Sequence, residues 1–350
     1  MSEPVVHGHG CGCAALPGID VHCHVIPAEF PKSLGVTPAG WPSMAPAHEC
    51  HRHVMIDGGL YRTVSDRCWD AGKRLDDMTE QRVGVQALSP MPELLGYWLP
   101  AQEAAHLNRY VNDEIAKMVA SAPTRFVGLG AVPLQDMDLA IAELTRMMAS
   151  GAFAGVELGS NINGVPIGAA CFDPFFEAAE ALGAAIFVHA LRPAGEARLV
   201  GPKPLLQALG YPTDVGLAAA SVLTTNLIVR RPTLRIAFSH GGGTLASLLP
   251  RLERAHKVFK PLDDTLLESP SAQARRLYYD ALVFDDDTLA HLVRTFGHTQ
   301  LMLGTDYPFA FRETTPVASI ERAFADATLR ESLIHLNAER FLGMSARSHS

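Results

Sequence analysis

The sequence has few features of a secreted, membrane-spanning or nucleic-acid-binding protein. Its 350 residues contain only six cysteines, too few for a disulfide framework in a chain this long. It has no run of about 18 apolar residues and no basic region followed by an apolar core at its start. The net charge of −8 argues against a nucleic-acid partner, although a few local arginines could still attract small anions. We therefore expect a reduced, cytoplasmic protein with neither a nucleic acid nor a membrane as partner.

The sequence also lacks a glycine-rich phosphate turn after its first predicted strand. A doubly wound sheet, the alternative fold, would need such a turn there, and this chain has His22-Cys23-His24 instead. Apolar residues make up 48% of the chain, enough for a sizeable core. From residue 18 onward, eight predicted strands are separated mostly by helices, and several strands are continuous apolar runs typical of buried parallel strands. This pattern predicts an α/β fold, a (β/α)₈ TIM barrel.

The predicted elements after the first strand follow a regular alternation. Helices are expected at about 73–82, 101–121, 136–149, 173–183, 214–230, 244–257 and 285–297, and strands at Val85–Ser89, Phe126–Val132, Gly155–Leu158, Ala185–His189, Leu234–His240, Leu277–Val283 and Leu301–Asp306.

Two segments stand outside this alternation. Residues 1–16 are predicted to be a flexible tail, although their histidines and cysteines could bind zinc or copper. A segment at about 28–72, rich in proline and glycine, is predicted to be a cap inserted after strand 1, with a hairpin turning at Asp57-Gly58-Gly59. The histidine-rich stretch 48–53 in this cap could meet the tail in an accessory metal site. Residues 17–350 are expected to form one barrel domain.

Polar side chains stand where several predicted strands end. On the extended first strand, Asp20, His22 and His24 share one face. His189, His240 and Asp306 end the fifth, sixth and eighth strands. Because barrel enzymes place their chemistry at the carboxyl ends of the strands, these side chains are expected to converge.

Three imidazoles and one carboxylate would suit a single divalent ion, most plausibly zinc, with one open position for water. The fourth strand carries no lysine that could bridge two ions, although Glu157 could serve as such a bridge. One of the histidines should act as an acid or base, and His240 fits because the glycines at 241–243 leave room beside its imidazole.

Five stretches give the chain a resemblance to a known family. They are Ile19–His24, 133–136 (Pro-Leu-Gln-Asp), Val188-His189, His240–Gly243, and 304–309 (Gly-Thr-Asp-Tyr-Pro-Phe). With these stretches the sequence resembles the amidohydrolase superfamily and, within it, the branch of aminocarboxymuconate-semialdehyde decarboxylase. The resemblance extends over about residues 17–345.

The resemblance implies a role for individual residues. His22, His24, His189 and Asp306 would bind the metal, with His240 and Asp306 catalytic beside the metal-bound water. Arg62 would reach in from the cap to bind a substrate carboxylate, and Phe309 would form a wall of the pocket. Arg251 would be supplied across the interface of a homodimer to the neighbouring site.

On these residues and the resemblance, we predict that the protein is a metal-dependent, oxygen-independent decarboxylase of an unsaturated or aromatic carboxylic acid. The same site could instead hydrolyse a lactone, amide or ester, or add water to a conjugated double bond. A non-catalytic protein that stores or delivers metal through its histidine-rich tail is the alternative from a different class.

Overall fold

The structure is a computed structural model and describes residues 18–344. The predicted tail, 1–16, and its possible metal ligands lie outside this range. Within residues 18–344, no helix is both long enough and apolar enough to span a membrane.

A parallel eight-stranded sheet forms the centre of the fold, as predicted for a TIM barrel. Its strands follow one another around the sheet in chain order. Most of their residues are buried because helices cover the outer face, which is why the sequence shows long apolar runs there. The strands are β1 (Gly18–Val25), β5 (Val83–Pro90), β6 (Phe126–Gly130), β7 (Phe153–Gly159), β10 (Ala185–His189), β11 (Arg235–Phe238), β12 (Tyr278–Asp280) and β13 (Leu301–Met302).

Backbone hydrogen bonds join the first strand to the segment that follows the last one. Val21 N donates to Leu303 O over 3.0 Å, and Asp306 N donates to His22 O over 2.8 Å. The side chain of Asp20 strengthens the same junction, since its carboxylate accepts bonds from Thr305 N (3.1 Å) and Thr305 Oγ1 (2.6 Å). This seam closes the barrel between its first strand and the segment after its last strand.

The cap predicted after strand 1 contains a three-stranded antiparallel sheet. Its strands are β2 (Pro42–Pro46), β3 (His51–Ile56) and β4 (Gly59–Ser65). The predicted hairpin is present, and Asp57 and Gly58 at its turn both have positive φ. A second, two-stranded hairpin, β8 (Asn161–Ile162) and β9 (Val165–Pro166), follows β7 and was not predicted.

Helices separate most of the barrel strands. Several of the predicted ends are confirmed, and Asp136 and Asp285 cap their helices through hydrogen bonds from Leu139 N and Thr288 N. The helices are α1 (Ala71–Glu80), α2 (Ala101–Ser121), α3 (Met137–Ser150), α4 (Asp173–Ala181), α5 (Tyr211–Thr224), α6 (Leu227–Arg230), α7 (Leu245–Val258), α8 (Lys260–Thr265), α9 (Pro270–Ala274), α10 (Asp286–Phe296), α11 (Pro316–Ala323), α12 (Ala327–Glu331) and α13 (Asn337–Leu342).

Several predicted elements differ from the structure. The helix expected at 214–230 is divided into α5 and α6, because Asn226 adopts a left-handed conformation between them. The seventh strand, expected at Leu277–Val283, ends at Asp280, and the eighth, expected at Leu301–Asp306, ends at Met302. The seventh-strand prediction followed an apolar run that continues past the strand, and the eighth was extended to Asp306, which lies in the loop after β13.

Candidate metal centre

Four of the predicted site residues converge at the carboxyl end of the barrel. His22 and His24 lie on β1, His189 is the last residue of β10, and Asp306 follows β13. One ligand atom from each lies within 4.8 Å of the others. In the part of the chain that the structure describes, this is the only such group of three or more histidine, cysteine or acidic side chains. The histidine-rich stretch of the cap therefore forms no such centre within residues 18–344.

The outward-facing nitrogen of each histidine is held by a neighbouring acceptor. The Nδ1 atom lies 2.7 Å from Asp280 Oδ2 in His22, 3.0 Å from Pro90 O in His24, and 2.8 Å from Ala190 O in His189. Because carbonyl and carboxylate oxygens only accept, each Nδ1 carries the proton and each Nε2 presents its lone pair. This second set of contacts is typical of histidines that bind a metal ion.

The atoms at the centre of the group lack hydrogen-bond partners. They are the three Nε2 atoms and Asp306 Oδ1, all buried. The separations of Asp306 Oδ1 from His24 Nε2 and His22 Nε2 are 3.1 Å and 3.6 Å. Buried polar atoms are nearly always satisfied, so a set of four aimed at one point fits a bound cation. Three nitrogens and one oxygen form a single divalent-metal site with the donor types that zinc and its neighbours accept.

The ionisation of two of these ligands also suits a cation. Burial lowers the pKa of His189 well below its usual value, and the adjacent His22 and His24 lower it further. Burial by itself would raise the pKa of Asp306, but the adjacent imidazoles of His24, His22 and His240 lower it below its usual value. His189 is therefore neutral and Asp306 is charged near neutral pH, as metal binding requires.

Two further buried carboxylates, one on β1 and one on β7, lie outside the ligand group. Asp20, predicted on the same face as the histidines, does not join the ligand group but closes the barrel seam. Glu157 on β7 also lies outside the group, and its Oε2 atom is 3.7 Å from Nδ1 of His24, the nitrogen that faces away from the centre. Burial raises the pKa of Glu157 to about 7. The geometry therefore gives no support to Glu157 as a bridge between two ions.

His240 stands beside the ligand group. Its ring centroid lies 5.4 Å from that of His22 and 5.0 Å from that of His189, and its Nδ1 is 3.0 Å from Ser239 Oγ. Burial lowers its pKa to about 4, so the imidazole is neutral at physiological pH. Its φ of 53° is unusual for a residue with a side chain, and such strain is common at functional sites.

The sequence suggested that the glycines after His240 leave room beside its imidazole. In the structure they have a different role. All three have positive φ. A Cβ on Gly243 would lie 1.9 Å from Pro212 O, and one on Gly242 would lie 2.6 Å from the Tyr279 ring. These glycines instead let the turn pack tightly against the first turn of α5 and against β12.

Asp280 is a site residue that the sequence reasoning missed. Besides its contact with His22, its carboxylate accepts backbone hydrogen bonds from His240 N (3.0 Å), Gly241 N (2.7 Å) and Leu282 N (3.2 Å). It therefore orients one metal ligand and the loop of the candidate base at once. The sequence could have identified Asp280 by its position at the end of the seventh strand. The predicted strand extended three residues further, so Asp280 was placed inside it.

Arg62 and Phe309, which the resemblance assigns to the substrate pocket, lie beside the ligand group. The Arg62 guanidinium carbon is 4.2 Å from the centre of the Phe309 ring, and that ring stacks on His24 with centroids 5.3 Å apart. Both residues line a cavity together with His189, His240 and Asp306. Arg251 is exposed on α7 and does not line this cavity.

The cavity is small, at about 30 Å³. A space of this measure holds about two water molecules. A larger space of about 850 Å³ adjoins it and shares Arg62, Gln207, Phe309 and Phe311 as lining residues.

Comparison with known proteins places the chain in a family. Residues 19–344 match the Amidohydrolase family. The 2-amino-3-carboxymuconate-6-semialdehyde decarboxylase of Dictyostelium discoideum is 34% identical over 338 residues, which cover 95% of this chain and 93% of that protein.

Two solved structures share the fold. The apo form of Metarhizium anisopliae IDCase has a TM-score of 0.78 at 20% identity and covers 94% of this chain and 97% of that one. The dihydroxybenzoic acid decarboxylase of Polaromonas sp. JS666, with bound manganese and the inhibitor 2-nitroresorcinol, has a TM-score of 0.72 at 22% identity and covers 80% of this chain and 88% of that one. On the family match and the Dictyostelium relative together, the chain belongs to the amidohydrolases, in the branch of 2-amino-3-carboxymuconate-6-semialdehyde decarboxylase.

Proposed function

We propose that the protein is a metal-dependent, oxygen-independent decarboxylase of a small unsaturated or aromatic carboxylic acid. The observation that carries the proposal is the convergence of four unpaired, buried ligand atoms on one point of a cavity that also contains His240 and Arg62. The predicted enzyme class, a metal-dependent carboxy-lyase, is confirmed by the decarboxylase to which the chain is related.

The residues of the cavity have different roles in the proposed decarboxylation. Arg62 binds a substrate carboxylate, which its planar guanidinium can hold through two hydrogen bonds. Phe309 supports that guanidinium from one side and offers an apolar face to the substrate. His22, His24, His189 and Asp306 hold the divalent ion, which when bound supplies Lewis-acid polarisation and makes a water more acidic.

His240 would move the proton that replaces the departing carboxyl group. Loss of CO₂ leaves an electron pair on the carbon, and a proton must be added there for the product to be neutral at that atom. The neutral imidazole can take up a proton from water at Nε2 while Ser239 Oγ holds its Nδ1 side. The imidazolium would then pass that proton to the carbon, and the hydroxide left from the water combines with the released CO₂ as bicarbonate.

The test is an assay of CO₂ release by metal-reconstituted protein with a panel of aromatic and unsaturated acids. We expect at least one acid to lose CO₂ without oxygen, and we expect exhaustive chelation to abolish that turnover. If no acid releases CO₂ while a lactone, amide or ester is cleaved, the proposal is wrong and the hydrolytic alternative holds. Hydration of a conjugated double bond without CO₂ release would likewise replace it.

The His240→Ala variant separates the base from the ligands. We expect it to bind one equivalent of metal as tightly as the unchanged protein and to lose turnover by at least about a hundredfold, since general acid–base groups contribute on that order. A fall in metal content to the level of a His189→Ala variant would show that His240 is a ligand. Several weak sites in place of one tight site would favour metal storage over catalysis.

The proposal includes a homodimer in which Arg251 completes the neighbouring site. Arg251 is exposed on α7, and α7 packs against α5. Leu217 on α5 and Leu248 on α7 expose 59% and 52% of their surface, which supports an interface along these two helices. The test mixes an Arg251→Ala chain with an inactive His240→Ala chain. Recovery of activity on mixing supports the exchange, and a monomer with full activity excludes it.

The remaining parts of the proposal concern the metal, the domain and the compartment. We propose zinc as the ion, one domain over residues 17–350, and a reducing cytoplasmic location. The four cysteines within residues 18–344 are free thiols, which supports the last point. Metal analysis of protein purified without added metal tests the first, and manganese is the alternative outcome.

A further inference from the structure

Glu93 is a carboxylate in the wall of the candidate active site that the proposed reaction does not use. It lies in a single helical turn, Pro92–Leu95, directly after β5, at the same end of the barrel as the metal ligands. It lines the same cavity as His189, His240 and Asp306. It is only partly buried, so it is accessible from within the cavity.

The cap fixes the position of this carboxylate. Tyr61 on β4 donates a hydrogen bond from its phenol to Glu93 Oε1, across the gap between cap and barrel. The carboxylate also acts on the neighbouring Arg62. Burial lowers the pKa of Arg62, but Glu93, with smaller contributions from Tyr61, Tyr211 and Asp306, raises it above its usual value. The hydrogen bond from Tyr61 occupies one oxygen and leaves the lone pairs of the other, Oε2, for a second donor.

A negative charge beside a site for carboxylic acids has a clear physical consequence. An anionic substrate gains from Arg62 and the metal site but is repelled by Glu93 at the low effective dielectric of a small cavity. The repulsion is offset only if the substrate offers an N–H or O–H group to the carboxylate. A site of this kind rejects analogues without that donor, because the bound acid then covers the Glu93 carboxylate and leaves its acceptor unpaired.

We propose that Glu93 is a specificity residue that selects carboxylic acids bearing an amino or hydroxyl group. Arg62 binds the carboxylate of such a substrate, and Glu93 accepts a hydrogen bond from its amino or hydroxyl group on the neighbouring wall. Tyr61 is the positioning residue that holds Glu93 in place. This inference rests on the proposed function, in that it requires the cavity to bind carboxylic acids.

The test measures equilibrium binding, so it does not depend on turnover. Metal-loaded full-length protein is titrated calorimetrically with benzoate and with 2-, 3- and 4-aminobenzoate. We expect at least one aminobenzoate to bind about ten- to a hundredfold more tightly than benzoate, the range for a hydrogen bond to a charged group. In Glu93→Leu, benzoate should bind more tightly than before, and the preference for the aminobenzoate should fall to less than about threefold.

The Glu93→Gln variant decides the question if the leucine variant does not fold. It is nearly the same size and keeps an oxygen for Tyr61, but it presents an N–H₂ donor where Glu93 has its second oxygen. The amino-group preference should therefore collapse in it as well. Glu177→Gln is the matched control, because Glu177 is exposed on α4 on the outside of the barrel, and this change should leave all four affinities unaltered.

Two results would overturn the inference, and they are distinguishable from each other. If the unchanged protein binds benzoate as tightly as every aminobenzoate, or if Glu93→Gln keeps the full preference, Glu93 has no part in selection while the proposed function stands. If the metal-loaded protein binds none of the four acids even at millimolar concentration, the carboxylate-binding function itself fails, and the inference fails with it.

Discussion

Replacing Asp280 by asparagine should weaken metal binding although Asp280 does not itself belong to the ligand group. The two carboxylate oxygens of Asp280 each serve two donors. Oδ2 accepts from His22 Nδ1 and His240 N, and Oδ1 accepts from Gly241 N and Leu282 N. Asparagine has a single oxygen, so its N–H₂ group must face one of these donor pairs.

Either orientation of the amide is unfavourable. If the amide nitrogen faces His22, the imidazole must present a lone pair at Nδ1 and carry its proton on Nε2, the atom that should bind the ion. If it faces Gly241 and Leu282, two buried backbone N–H groups lose their acceptor, at about 1–3 kcal/mol for each unsatisfied group. Loss of an outer contact of this kind typically costs about ten- to a hundredfold in metal affinity, or about 1.4–2.7 kcal/mol.

The assay is a chelator competition that gives the metal dissociation constant of the unchanged protein and of Asp280→Asn at pH 7. Asp285→Asn is the matched control, because it is the same substitution at a helix cap five residues away and asparagine caps helices as well as aspartate does. We expect the control to bind metal normally. A dissociation constant for Asp280→Asn within twofold of the unchanged protein would refute the argument that Asp280 sets the His22 tautomer.

Two further predictions concern the stability of the barrel. Gly155→Ala should lower the free energy of unfolding by about 3 kcal/mol or prevent folding, because its Cβ would lie 1.8 Å from Ala185 O on the adjacent strand. The control is Gly195→Ala, whose Cβ would meet nothing within 4 Å and which should leave the unfolding free energy in urea unchanged. Burial raises the pKa of Asp77, but the hydrogen bonds from Arg67 and Tyr307 lower it below its usual 3.8. The charged carboxylate therefore stabilises the fold above pH 3.8, and this stabilisation is lost as the pH falls through the pKa of the folded state. Asp77→Asn should therefore reduce the unfolding free energy by about 1 kcal/mol at pH 7, a small value because Arg67 is half-exposed. The difference between the variant and the unchanged protein should become smaller at acidic pH. An equal difference at pH 7 and pH 2.5 would contradict this reasoning.

The periodicity of apolar residues was sufficient to predict the barrel, and the polar residues at the strand ends were sufficient to predict the ligand group. The helix at 101–121 was predicted with both of its ends, because its apolar positions recur at helical spacing between clear boundaries. His189 and the pair His22 and His24 were identified because packing alone seldom places imidazoles at the ends of apolar strands, where an apolar side chain would be less costly to bury.

The missed features depend on contacts that local patterns do not encode. Asp280 was hidden by the apolar residues on both sides of it, which made the strand look longer than it is. Glu93 follows the second strand at the same end of the barrel as the ligands, so the strand-end argument could have identified it. Its link to Tyr61, 32 positions earlier, comes from the way the cap folds back over the barrel, and no spacing rule predicts that contact.

The seam between β1 and the segment after β13 has a consequence for how the protein is made. Two of the four metal ligands are among the first described residues to leave the ribosome, and the last, Asp306, emerges nearly three hundred residues later. During synthesis the growing chain holds at most an incomplete set of donors, so tight loading must await the final strand. Occupancy of the ion therefore reports that translation has passed residue 306 and that the two termini of the barrel have met.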